Sequence, residues 1–152
     1  MAAEVAETPR WAGPRWRVAD FTELIENGRN DHERYRFLIS ALPRRFHSTS
    51  RERQGLALRQ APRLTGTKWD ALLAAVAEHM ALTHDHPVPA WCDEPERFLR
   101  IPWMPIPAYG PRFPGMIWRD APGAFLRHGL LVSSRELGPR EGHRFYGSLL
   151  GR

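Results

Sequence analysis

The sequence predicts a mainly α fold: one compact helical domain, with one or two short strands in the C-terminal third and a proline-rich crossing loop. Three observations lead there. Trp69, Leu72, Leu73, Val76 and Met80 recur at the spacing of one helical face. Prolines at 102, 105, 107, 111 and 114 remove backbone donors, so residues 101–115 read as extended chain rather than sheet. No linker is long enough to divide the 152 residues into two domains, and that length suffices for one real core.

Taken in order, residues 1–17 read as an arm, 18–137 as the domain and 138–152 as a C-terminal tail. The arm repeats Pro-Arg-Trp at Pro9-Arg10-Trp11 and Pro14-Arg15-Trp16. Its tryptophans either fold back on the body or dock on a partner, and the gain from burying large aromatics favours folding back. Residues 20–27 read as a short helix, capped by Asp20, with Phe21, Leu24 and Ile25 on one face and Gly28 ending it in the left-handed region. Tyr35, Leu38, Ile39 and Leu42 define a second helix over 31–42, which Pro43 stops. A third spans 50–60, weakened by Gly55 and ended before Pro62.

The fourth and clearest helix starts at Thr67, whose hydroxyl and the Asp70 carboxylate make a capping-box pattern. Pro87 forces a turn near His84–His86, and Pro87-Val88-Pro89 holds the chain extended. Asp93 and Pro95 start another short helix, and Trp91, Phe98 and Trp103 are placed over the central helix. The Pro102/Pro105 and Pro111/Pro114 spacings match PxxP ligands, though bracing the protein's own body is the simpler use of fixed φ angles. Met116–Trp118 and Leu130–Val132 read as short strands, with a helix between them from Ala121 to His128 closed by Gly129.

There is no apolar run of membrane-spanning length and no apolar signal region at the N-terminus, so a cytoplasmic protein is expected. The single cysteine, Cys92, allows no internal disulfide. Net charge is +5, unevenly spread: from Arg29 to Lys68 there are ten basic residues against three acidic ones. Such a segment attracts an acidic protein surface or nucleic acid. Seven residues separate the second and third helices, too many for a helix-turn-helix. Arg44, Arg45, Arg51, Arg53 and Arg59 would therefore contact phosphates rather than read bases.

Constellations that carry chemistry are weak. His79, His84, Asp85, His86 and Cys92 cluster in sequence but lack the paired short spacings of a zinc site, so no metal and no other cofactor is expected. Thr65-Gly66-Thr67-Lys68 lacks the first glycine of a phosphate loop. There is no Gly-x-Ser-x-Gly elbow, and the carboxylates are too scattered to nominate an acid–base pair. The expected protein is not an enzyme.

One resemblance goes further. Trp69-Asp70-Ala71-Leu72-Leu73-Ala74-Ala75 with Ala77-Glu78-His79, then Pro87-Val88-Pro89-Ala90-Trp91, Arg97-Phe98-Leu99 and Trp103 resemble a group of small bacterial, mostly actinobacterial, antitoxin-like proteins found beside nucleotidyltransferase-type toxins. Ala121-Pro122-Gly123-Ala124-Phe125, Gly129, Val132 and Glu136-Leu137 fit the same group, so the likeness covers roughly residues 20–137. Met104 and Val132-Ser133 depart from it, where the group carries an aromatic and an Ile-Asp pair. The resemblance implies an interaction protein that binds and neutralises a cognate toxin enzyme, with DNA contact for autoregulation. The toxins' Gly-Ser followed by paired aspartates is absent, since Gly147-Ser148 has no carboxylates after it, so this chain is placed on the antitoxin side. Expected partner contacts are Trp11, Trp16, Trp91, Trp103, Arg44, Arg45, Arg51 and Arg53, since aromatics and arginines dominate interface energetics. The alternative is a nucleic-acid-binding module built on residues 29–68. A homo-oligomer is compatible with either.

Overall fold

The helix predicted from Trp69 onward is the centre of the molecule. The computed structural model describes residues 8–105, 121–133 and 136–137. Its helices are α1 (Phe21–Asn27), α2 (Asp31–Arg36), α3 (Leu42–His47), α4 (Arg51–Arg59), α5 (Trp69–Thr83) and α6 (Gly123–His128). Short 3-10 turns occupy Arg10–Ala12, Val18–Asp20, Ala90–Asp93 and Pro95–Arg97. The mainly helical architecture is the one the periodicity indicates.

α5 is buried on every face rather than along one stripe. Ala74, Ala77, Glu78 and Ala81, which lie outside the stripe of Trp69, Leu72, Leu73, Val76 and Met80, are buried like Leu72 and Val76. A helix apolar all round belongs inside a core, and its small alanines let neighbours approach from all sides. α6 packs along one flank, the turns at Ala90–Asp93 and Pro95–Arg97 along another, and α3 with the segment before it along a third. Asp70 is tolerated inside because its carboxylate accepts from the Thr65 and Gly66 N–H groups (2.9 Å each) and from the Thr65 hydroxyl (2.7 Å). The expected cap by Thr67 does not form: Lys68 occupies the cap position, and the Thr67 hydroxyl pairs with that of Thr65.

Pro43 does not end the second helix. The chain widens into a π turn at Phe37–Ala41, with the Leu42 N–H bonded to the Phe37 carbonyl, and then continues as α3. A proline ring clashes with the carbonyl four residues back in a regular helix. One wider turn removes that clash, and π turns serve this purpose.

Residues 8–17, assigned to an arm, lie against the body. Trp16 is 1% exposed, edge-on to Phe21 and Phe46 (6.2 and 6.3 Å between ring centroids), and its indole N–H reaches Thr49 Oγ1 at 3.2 Å. Trp11 is half-buried against Phe21 and Phe37. Asp20 does not cap α1. Its carboxylate faces back to the Arg17 N–H (2.8 Å) and guanidinium (2.7 Å). Gly28 is not left-handed either, with φ −59° and ψ 133°. Arg34 explains the glycine: it crosses over residue 28 to donate to the Ile25 and Gly28 carbonyls (2.7 and 2.8 Å), and a Cβ there would come within 2.6 Å of Arg34 Cγ. Gly28→Ala is expected to displace Arg34 and cost about 1–2 kcal/mol, the value of lost charge-assisted bonds. A urea midpoint unchanged from the parent would refute this.

Among the described residues the C-terminal part holds one isolated parallel bridge, Trp103 to Leu130, where a short strand at Leu130–Val132 was expected. The Trp103 N–H donates to the Gly129 carbonyl and the Leu131 N–H to the Trp103 carbonyl, both at 2.9 Å. Gly129 closes α6 in the left-handed region (φ 85°), as the sequence indicates. The predicted strand at Met116–Trp118, most of the proline-rich loop and the tail from 138 lie outside the described residues. The helix expected at Asp93 and Pro95 is a pair of 3-10 turns, and the Asp93 carboxylate takes Arg127 instead of capping (2.6 Å).

Candidate interaction groove

The arginines that suggested a nucleic-acid face mostly serve the fold. Arg45 donates to the Ala12 and Gly13 carbonyls (2.9 and 2.6 Å), Arg53 to the Trp16 carbonyl (3.2 Å), and Arg51 to the His84 and Asp85 carbonyls (2.8 and 2.7 Å). Each planar fork ties a loop to a helix, a geometry that lysine's point charge does not reproduce. Arg44 is exposed beside Ser40 (3.2 Å), and Arg59 is exposed at the end of α4. Of the proposed aromatic contacts, Trp16 is a core residue that presents no face to a partner, and Trp91 is buried apart from the part of its ring that lines a groove beside α4. Trp103 is half-buried and edge-on to Trp69 (5.0 Å), with Lys68 Nζ 5.7 Å from its ring. It borders a polar hollow of about 710 Å³ lined also by Ile25, Asp31, Arg34 and Thr65.

The histidine–cysteine cluster is not assembled. Among the described residues no group of His, Cys, Asp and Glu side chains is arranged to hold a metal ion. His84 stacks edge-on against Phe46 and His47 (5.0 and 5.3 Å), whereas His86 Nε2 lies 2.9 Å from Gln54 Oε1. Burial, and then the nearby Glu78 carboxylate, push the Cys92 thiol up to about 12, so it stays protonated and unreactive at neutral pH.

What sequence reasoning missed is a groove of about 730 Å³ between α4 and the extended Pro87–Pro89 segment. Its walls are Leu56, Leu58 and Ala61 on one side and Pro87, Val88, Pro89 and Trp91 on the other. Both ends are pinned. At the first, Gln54 donates its amide to the Phe46 and Thr49 carbonyls, which leaves its oxygen to accept from His86, while Arg51 grips the turn at His84 and Asp85. That turn is tight enough to hold Asp85 at φ 62°, a left-handed value uncommon outside glycine. At the second end the Trp91 indole N–H donates to the Leu58 carbonyl at 2.8 Å, and the fully buried Arg97 lies 5.0 Å over the same ring and binds the Pro62 carbonyl at 2.6 Å.

Between the pins the two walls do not match in length. Extended chain advances about 3.1 Å per residue, and α-helix about 1.5 Å. The segment from His86 to Trp91 is therefore longer than the stretch of α4 from Gln54 to Leu58 that it spans, and it stands off the helix. Two prolines stop it from collapsing inward.

Gly55 lies on the groove floor. A Cβ added there would meet nothing nearer than the His86 ring at 3.9 Å, an ordinary contact. Packing does not call for glycine at this place, although mid-helix glycine costs about 1 kcal/mol relative to alanine. Glu52 and Arg59 stand exposed at opposite ends of the same helical face; Glu52 shares the His86 end with the Arg51 guanidinium, and Arg59 leaves the Trp91 end basic. The sequence signal for the site was that glycine, read only as a weakness in the helix.

No described helix is long and apolar enough to cross a membrane. No protein-family model, curated protein or solved structure matches the chain.

Proposed function

We propose that this chain is an interaction protein that binds and neutralises a partner enzyme, and that the groove beside α4 is part of its contact surface. The observation that carries the reading is a mostly apolar trough held open by hydrogen bonds at both ends. Preorganisation of this kind lowers the entropy lost on binding. The sequence likeness to antitoxin-like proteins supplies the nature of the partner, a toxin enzyme of the nucleotidyltransferase type. Use of Arg45, Arg51 and Arg53 as carbonyl clamps weighs against the nucleic-acid alternative, because those guanidinium groups are committed within the fold.

The test is co-expression of the full chain with each gene that neighbours it in its native genome. One neighbour is expected to arrest growth alone, to be relieved by this chain, and to copurify with it in fixed ratio after a high-salt wash. Relief without a protein complex, together with retained nucleic acid whose binding falls steeply with salt, would make residues 29–68 the functional surface instead.

A further inference from the structure

We infer that the groove takes an apolar side chain of a partner protein segment, seated over Gly55, with a neighbouring carboxylate of that segment held by Arg59. The inference rests on the interaction reading above and names the chemistry of the contact. Three features of the groove select this occupant. Its walls are aliphatic and aromatic: Leu56, Val88, Pro89 and Trp91 offer no hydrogen-bonding side chain except the indole N–H, which is already taken by Leu58. Leu56 is 38% exposed, so part of this apolar lining faces solvent.

The second feature is the floor. Without a side chain at residue 55, a guest group reaches the backbone of α4, and a glycine that packing does not need gains a reason there. The third is the polarity of the rim. Arg59 attracts a carboxylate at the Trp91 end, whereas at the His86 end the Glu52 charge is offset by the Arg51 guanidinium. Residues 52 and 59 are about 10.5 Å apart along the helix axis. A partner segment with one apolar anchor and one acidic residue thus has a single favoured direction. Arg59 is suited to the acidic residue because it is exposed, and guanidinium binds carboxylate through paired hydrogen bonds. The chain's overall +5 charge favours an acidic partner as well.

The experiment is to pan a phage-displayed library of random 12-residue peptides on the immobilised full-length chain. Enriched peptides are expected to share a Leu, Phe or Trp with an Asp or Glu within about one helical turn. Their binding is then measured on variants. Arg59→Gln is expected to weaken acidic peptides about tenfold and to abolish their preference over Asn or Gln versions, while Arg44→Gln leaves binding unchanged. Gly55→Ala is expected to raise the melting temperature by about 2–4 °C while weakening the peptides, and Gly55→Leu to abolish their binding with the helical circular dichroism intact.

Failure to enrich any peptide, enriched peptides without an acidic residue, or binding indifferent to Gly55→Leu would each overturn the assignment. A genetic partner bound equally by wild type and Gly55→Leu would also overturn it, yet would leave the interaction reading standing. Loss of growth rescue and of complex formation by the unmodified chain would remove that reading itself.

Discussion

Acidification from pH 7 to pH 4.5 is expected to lower the stability of this protein by several kcal/mol. Burial is the main reason: it holds His79, His84, His86 and His128 below the usual histidine range, His79 down to about 4. Like charge adds to it. His84 lowers His79, while His47, His86 and Arg51 lower His84. At His86 Arg51 acts in the same direction and Asp85 opposes it, whereas at His128 the hydrogen bond to the Arg97 carbonyl and the Glu78 carboxylate oppose burial. A histidine with a lowered folded pKa binds fewer protons folded than unfolded. Its contribution is therefore present above the unfolded value of 6.5 and is lost as pH falls from there toward the folded value. Each fully titrating histidine contributes a slope of about 1.4 kcal/mol per pH unit. For His79 the window runs from 6.5 to about 4, up to about 3 kcal/mol. Against typical stabilities of about 5–15 kcal/mol that loss is a substantial share, over half at the low end. Urea midpoints between pH 7.5 and 4.5 would show it, and His79→Gln should flatten the slope below pH 6. A midpoint constant from pH 7 to 5 would contradict the account.

Trp91→Ala is expected to cost about 4–5 kcal/mol. Removing a large aromatic from a core costs about 3–5 kcal/mol in transfer and cavity terms. This one also accepts the Arg97 guanidinium on its face and donates to the Leu58 carbonyl. Without the ring the fully buried Arg97 loses its cover, and a buried charge without compensation is expensive. Trp91→Phe keeps most of the packing and loses the indole bond, so about 1–2 kcal/mol is expected. Guanidinium-induced unfolding of both variants separates packing from hydrogen bonding. Equal losses would show that the N–H, not the ring, holds this end of the groove.

The helical architecture was legible because several stretches carry apolar residues at helical spacing, and Ala-rich residues 69–81 combine that spacing with high propensity. Full burial of α5 was less so: alanine reads as neutral on a helical wheel, although small residues on the far face are what a second layer of neighbours requires. Asp20 and Asp70 were misread as helix caps because a carboxylate near a helix start can also accept from donors upstream, as both do here. The arginine segment was counted as charge, while its role depends on which loop carbonyls the fold brings within reach. The groove was hidden for a related reason. It joins segments about thirty residues apart in sequence, and side-chain bonds of Gln54, His86 and Trp91 define it rather than any local pattern.

The placement of α6 against α5 also has a consequence for synthesis of the chain. α5 leaves the ribosome complete at Thr83, but the helix that covers one of its flanks ends only at His128. At about 5–20 residues per second the uncovered interval lasts about 2–9 s. Throughout it an alanine-, leucine- and valine-rich surface stays uncovered on that flank, and the Glu78 carboxylate waits for Arg127. The nascent protein thus carries exposed apolar surface over that interval, and synonymous codons that slow elongation between residues 84 and 128 lengthen it.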